Sequence, residues 1–112
     1  MTRIEYSIES MYLHCKGHAG GGPAGQDIIC AGVSALSMAL LNQLNEEEEK
    51  GTIRSRWKME PGEMTLKAEV KAPRHKKTIR DYFKVIIMGL QAMAENYPEH
   101  IDIREVQGNG SI

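Results

Sequence analysis

The sequence is short of the residues that mark several classes of protein. Its 112 residues include two cysteines, four prolines, one tryptophan and one phenylalanine. Two cysteines cannot build the dense disulfide network that holds many small secreted domains together. Because aromatic residues make up only 5% of the chain, there is no evident platform on which bases could stack. No uninterrupted apolar run approaches the roughly 20 residues needed to cross a bilayer, so we expect no membrane-spanning segment.

Neither sign of charge is in excess. The 14 basic and 15 acidic side chains give a net charge of −1. This balance argues against direct binding to nucleic acid and against residence on an anionic membrane. The first residues, from Met1 to Tyr6, lack the apolar segment of a secretory signal peptide. We therefore expect a cytoplasmic protein with both thiols reduced, and the length predicts a single domain over residues 1–112.

The chain does contain a clear pattern of apolar and polar side chains. Strict alternation predicts strands at residues 3–8, 11–16, 53–60 and 64–70, with a last strand after residue 100. Apolar residues at helical spacing predict two helices, one from Asp27 to about Asn45 and one from Lys76 to Asn96. The order β-β-α-β-β-α-β predicts an α+β fold, in which a mostly antiparallel sheet carries both helices on one face.

Two features of the first helix lead to further expectations. Gly32 lies inside the helix, where glycine costs about 1 kcal/mol relative to alanine. Such a glycine hints that another part of the backbone approaches closely at this point. The acidic run from Glu46 to Glu49 is expected to end the helix and to form a solvated loop.

The segment between the second strand and the first helix could carry chemistry. His18 precedes a loop made almost entirely of small residues, and Cys30 follows it in the first helical turn. A helix N-terminus stabilises a thiolate, a nearby imidazole can accept the thiol proton, and free N–H groups there can bind an oxyanion. We predict that the loop is a mobile cover over this site. Its glycines are Gly20, Gly21, Gly22 and Gly25.

On spacing alone, purely structural roles for these residues stay open. A cysteine among aliphatic residues is often a small buried hydrophobe, and a histidine at a strand end is often a surface residue. Asp27 is either the helix N-cap or an orienter of His18, and the N-cap role is favoured. Ser34 lies one turn after Cys30 and is either a supporting hydrogen-bond donor or a small packing residue.

Two rival functions are less well supported by the spacing. His14, Cys15, His18 and Cys30 are all potential metal ligands. Adjacent residues of a strand point to opposite faces, so His14 and Cys15 cannot bind one ion, and we expect no metal and no other cofactor. A short basic cluster at residues 71–77 could contact nucleic acid, but acidic residues elsewhere offset its charge.

The identities of these residues resemble those of the ribosomal-processing cysteine protease family. The similarity lies in Gly17-His18-Ala19-Gly20, in the segment from Gly25 to Ala31 that contains Cys30, and in the Val33-Ser34-Ala35-Leu36 stretch. It extends over most of the chain, including the strand order and the second hairpin. Several residue types recur at fixed spacing, so the combination is specific.

This resemblance implies a function for the chain. Members of the family are cytoplasmic homodimers that remove a short apolar N-terminal extension from large-subunit ribosomal protein twenty-seven. It implies that His18 and Cys30 are the catalytic residues, and that the glycine-containing loop moves when substrate binds. The expected partner is therefore a ribosomal protein precursor. A non-catalytic, ribosome-associated module that binds a peptide or RNA is the alternative.

Overall fold

The computed structural model describes residues 1–17 and 28–107. Its strands are β1 (Thr2–Ser7), β2 (Tyr12–Lys16), β3 (Ile53–Glu60), β4 (Glu63–Val70) and β5 (Ile101–Glu105). Its two long helices are α1 (Ile28–Glu49) and α2 (Lys76–Asn96), and a short 3₁₀ turn (Pro73–His75) leads into α2. The predicted order of strands and helices is therefore confirmed.

The five strands form one sheet in the order β3-β4-β2-β1-β5. Three of its four pairings are antiparallel, and β5 lies parallel to β1 at one edge. The parallel pair arises because α2 carries the chain back across the sheet before β5 begins. The predicted α+β class and the mostly antiparallel sheet are thus confirmed. The opposite edge of the sheet is β3.

The core lies between the sheet and the two helices. One face of the sheet contributes alternate strand residues, and each helix contributes the stripe that faces it. The fully buried large side chains are Ile4, Leu13, Leu40, Leu44, Ile53, Leu66, Ile79, Phe83, Ile87 and Leu90. The other face of the sheet carries mainly polar and charged side chains, including those of Glu5, His14 and Glu63.

The helices cross where each has a glycine opposite a long side chain of the other. A Cβ on Gly32 would lie 2.7 Å from Cε of Met93, and one on Gly89 would lie 3.2 Å from Cδ1 of Leu36. Gly32 therefore marks a close approach, as its position in the helix suggested. The approaching group is a side chain of α2 instead of the expected backbone.

The acidic run is part of α1, so the prediction that it forms a solvated loop was wrong. The helix continues to Glu49, and Glu47 is buried. Its carboxylate accepts hydrogen bonds from Oγ1 of Thr52 at 2.8 Å and from the Tyr82 hydroxyl at 3.4 Å. These contacts hold the pKa of Glu47 below its usual value, chiefly through the Thr52 hydrogen bond. Thr52, just after the helix, and Tyr82, from α2, therefore stabilise a charge that the sequence pattern assigned to solvent.

By length and composition, α1 could cross a membrane. Its apolar stripe is instead packed in the core, with Val33, Leu40 and Leu44 buried between the sheet and α2. The apolar character of the helix is explained by this packing, because a core helix of a small α+β fold needs a wide apolar face.

Candidate active site

Cys30 lies in the first described turn of α1, which starts at Ile28. Ile29 is buried in the core, whereas Ile28 is 79% exposed, so the helix meets the protein surface here. Cys30 follows these two residues in the helix. It is partly exposed, and it is not part of a disulfide. A thiol in this position is accessible and lies near the positive end of the helix dipole.

A cleft of about 200 Å³ opens between the first half of α1 and the tip of the β3–β4 hairpin. The helix contributes Cys30, Val33, Ser34, Ser37 and Met38, and the hairpin contributes Met59, Glu60, Gly62, Glu63 and Met64. Cys15 and Gly17 of the β2 region and Thr2 of β1 complete the described lining. The walls are largely aliphatic and sulfur-containing, so the cleft suits an apolar chain segment.

The second thiol, Cys15, also borders this cleft but has a different environment. It points from β2 toward α1, is only 7% exposed, and lies 3.7 Å from Oγ of Ser37. Burial raises the pKa of the Cys15 thiol from its ordinary value of 9.0 to about 11, and the contact with Ser37 lowers it by a smaller amount. Cys15 is therefore a neutral packing residue at physiological pH.

Gly17 fixes the chain where it enters the glycine-rich segment. Its φ of 101° is a conformation that favours glycine. Its N–H donates a 2.7 Å hydrogen bond to the carbonyl of Gly62 in the β3–β4 turn. A Cβ at this position would lie 2.6 Å from the carbonyl oxygen of Met1. The residue directly before His18 is thus held against the hairpin tip that forms one wall of the cleft.

Several predicted site residues lie outside the described residues. They are His18, Gly20, Gly21, Gly22, Gly25 and Asp27. The pairing of His18 with Cys30, the mobile cover and the role of Asp27 therefore stay predictions. Ser34 is described: it is an exposed residue of α1 that lines the cleft one turn after Cys30.

The side chains of His14 and Cys15 diverge, as adjacent strand residues must. Nε2 of His14 lies 2.7 Å from Oε2 of Glu63, and its Nδ1 lies 3.7 Å from Oε1 of Glu5, on the helix-free face. Cys15 points to the helix-covered face. Within residues 1–17 and 28–107, no group of three or more His, Cys, Asp or Glu side chains could hold a metal ion.

Sequence reasoning missed two parts of the cleft. The first is Ser37, which is buried and contacts Cys15. The second is the hairpin tip from Met59 to Met64, which the fold brings beside Cys30. Ser37 carries a weak signal, because it lies seven residues after Cys30 and thus shares its helix face. The hairpin carries no such signal, because its sequence does not show which element it faces.

Sequence comparisons with known proteins identify the family of this chain. The sequence profile of the family "cysteine protease Prp" matches residues 1–102. The ribosomal processing cysteine protease Prp of Mycoplasma genitalium is 30% identical over 102 residues, which are 91% of this chain and 95% of that protein. The chain therefore belongs to the cysteine protease Prp family, and it is a cysteine protease.

Solved structures show the same architecture. The essential ribosomal processing protease Prp from S. aureus, crystallised with a covalently linked product peptide, superposes with a TM-score of 0.76 and 21% identity. That match covers 95% of this chain and 100% of the other. The same S. aureus protein with a substrate peptide gives a TM-score of 0.68 and 20% identity, over 94% and 97% of the two chains.

Proposed function

We propose that this cysteine protease removes the N-terminal extension of large-subunit ribosomal protein twenty-seven during ribosome maturation. Cys30 is the proposed nucleophile and His18 the proposed base. The observation that carries the assignment of Cys30 is its place in the first described turn of α1, partly exposed and at the border of an apolar cleft. The apolar walls of that cleft support an apolar extension as the substrate.

In the proposed reaction, His18 takes the proton of Cys30, and the thiolate attacks the scissile carbonyl carbon. Backbone N–H groups of the first helical turn and of the glycine-rich segment stabilise the oxyanion of the tetrahedral intermediate. Protonated His18 then gives its proton to the leaving amine as the C–N bond breaks. Water, deprotonated by His18, attacks the remaining thioester and releases the acid, which restores Cys30.

The contrast with Cys15 supports this choice of nucleophile. Cys15 borders the same cleft, but burial raises the pKa of its thiol to about 11, which leaves little thiolate at neutral pH. The position of Gly17 supports the choice of base. Its hydrogen bond to Gly62 anchors the chain beside the cleft, one residue before His18.

The decisive experiment uses a synthetic peptide that copies the ribosomal extension and the residues after the cut. We expect the wild type and Cys15→Ala to cleave it at one bond, as measured by mass spectrometry. Cys30→Ala and His18→Ala should lose at least about a thousandfold in kcat/KM, because each removes half of the reacting pair. Cleavage by Cys30→Ala at the wild-type rate would show that Cys30 is not the nucleophile.

Two further properties belong to the proposal. The protein acts in the cytoplasm, where its thiols stay reduced, and it works as a homodimer. Exposed apolar side chains on the outer face of α2, at Val85 and Met88, support an interface with a second copy. Sedimentation equilibrium of the wild type should give twice the chain mass, and a monomer at every concentration would refute the dimer.

The alternative, a ribosome-associated module that only binds a peptide or RNA, predicts a different outcome. Peptide would bind the wild type and Cys30→Ala equally and would be recovered intact from both. RNA would bind without any dependence on Cys30.

A further inference from the structure

Within residues 1–17 and 28–107, the outer edge of β3 is covered at one end and open at the other. Because β3 is the first strand in the sheet order, one side of its backbone has no neighbouring strand in this part of the chain. At Ser55, the backbone N–H donates a 2.6 Å hydrogen bond to Oε1 of Glu48, and the Ser55 hydroxyl donates to the same oxygen at 2.9 Å. The amide of Ser55 therefore points away from β4, and a side chain of α1 occupies that part of the edge.

The same backbone direction recurs at every second residue of a strand. The N–H and C=O groups of Trp57 and Met59 thus also point outward. Among the described residues, no backbone group hydrogen-bonds to these outward N–H and C=O groups of Trp57 and Met59. Proteins normally protect such an edge with charge, proline or a bulge, because it is a template for pairing with another chain. On β3 the charged side chains, such as that of Arg56, lie on the face opposite to Trp57 and Met59, and the direct cover of the edge by Glu48 ends at Ser55.

Apolar side chains accompany the open part of the edge. Trp57 is 53% exposed and Met59 is 42% exposed, although Ile53 on the same face of β3 is completely buried. The helix layer therefore covers only the first half of this face. Met38 of α1, 38% exposed, continues the apolar surface, and Met38 and Met59 both line the cleft that contains Cys30. We call Trp57, Met59 and Met38 the apolar strip.

We propose that an extended segment of the substrate adds as a strand to the open edge of β3 and lays apolar side chains on the apolar strip. This inference rests on the proposed function, because the strip continues into the cleft where Cys30 would cut. The peptide ladder uses the backbone groups of Trp57 and Met59, and alternate side chains of the peptide contact the strip. The preferred substrate then has apolar residues two positions apart on one side of the scissile bond.

A peptide fits this edge better than a second copy of the chain does. In the described part of the chain, the open edge offers two outward-facing residues, which is too little for a stable interface of about 800 Å² per partner. An incoming peptide gains further contacts because the strip leads directly into the cleft. Backbone pairing supplies affinity without sequence preference, and the strip supplies the selection for apolar side chains.

Trp57 is the only tryptophan in the chain, so its fluorescence reports directly on this edge. The test titrates Cys30→Ala protein with the uncleaved extension peptide. We expect a saturable blue shift of the emission as the indole loses contact with water. Two N-methylated peptides then test the ladder. In the first, the methylated amides are those that would face β3, and binding should weaken by about tenfold or more. In the second, the methylated amides are those that would face solvent, and the peptide should bind as the parent does.

Kinetics on a matched pair of variants provides the second test. Trp57→Thr removes the strip's largest side chain, and Arg56→Thr changes the adjacent exposed residue, which points to the opposite face of the same strand. We expect Trp57→Thr to lower kcat/KM by about tenfold, mainly through KM, because a buried tryptophan contact often dominates binding. Arg56→Thr should remain within about twofold of the wild type.

The outcomes separate this inference from the proposed function. If the wild type cleaves the peptide but Trp57 emission and the Trp57→Thr kinetics do not change, the edge is not the binding site and the proposed function stands. If the wild type does not cleave the peptide, the proposed function fails, and the emission titration still decides whether the edge binds it. A shift that depends on protein concentration without peptide would assign the edge to a second copy and overturn the inference.

Discussion

The two cysteines border one cleft and yet differ in how far they are exposed. Cys30 lies in the first described turn of α1, at the surface of the protein. Cys15 is a residue of β2, and its side chain points toward α1, where only 7% of the residue is exposed. Its thiol is kept neutral because burial removes the water that would stabilise a thiolate. Proximity to the cleft is therefore not sufficient to make a thiol accessible or easily ionised.

The contrast predicts different consequences for replacing the two thiols. The Cys15 side chain fills space beside Ser37, and its replacement should affect mainly packing and stability. The replacement of Cys30 should affect mainly chemistry, because a partly exposed residue contributes little to the core.

The largest difference is expected in covalent labelling. Iodoacetamide at neutral pH should modify Cys30 about a hundredfold faster than Cys15, because the buried thiol is both neutral and shielded. Mass spectrometry of tryptic peptides after timed quenching would measure the two rates. In denaturant the rates should converge, which controls for local sequence effects. Equal rates in the folded protein would contradict the assignment of separate roles.

Alkaline pH should destabilise the protein through Cys15. Because its pKa is raised to about 11 in the folded state, the stabilising effect of the neutral thiol is complete below pH 9 and is lost as the pH rises through 11. At pH 10 the expected loss is on the order of 1 kcal/mol of unfolding free energy. Urea unfolding at pH 7 and pH 10 would measure it. The Cys15→Ala variant should lack this component, whereas Cys30→Ala should retain it.

The helix that carries Cys30 should tolerate Gly32→Ala. Alanine gains up to about 1 kcal/mol of helix propensity. The added Cβ would meet the flexible end of Met93, which can move at small cost. We expect unchanged or slightly raised stability in thermal unfolding. In a Met93→Ala background, Gly32→Ala should raise stability by the full difference in helix propensity. A loss above about 1 kcal/mol would show that the helix crossing is rigid at this point.

The smallest effect concerns the contact between Cys15 and Ser37. Their sulfur and oxygen atoms are 3.7 Å apart, which is a weak hydrogen bond. A double-mutant cycle of Cys15→Ala and Ser37→Ala should give a coupling free energy of about 0.5 kcal/mol. The cycle cancels the higher helix propensity of alanine at position 37. A coupling of zero would mean that Ser37 only fills space.

Much of the fold could be predicted because its strands and helices have periodic sequences. The bounds of α2 and β3 agree with the predicted residue ranges. Strand β2 begins one residue late, because Met11 has a φ of 56° and belongs to the turn. The end of α1 was misplaced by four residues. The acidic run looked solvated, and no local signal shows that Thr52 and Tyr82 would hydrogen-bond to Glu47.

The sequence by itself determined the order of strands and helices and the apolar stripe of each helix, and it singled out Cys30 as the candidate nucleophile. These follow from short-range rules, since periodicity and capping depend on neighbours within a few residues. Only the tertiary structure decided that Cys15 is buried against Ser37 while Cys30 borders an open cleft. It also decided that the β3–β4 hairpin tip forms the far wall of that cleft. Burial and the pairing of distant segments depend on how whole elements pack, and a linear pattern does not contain that information.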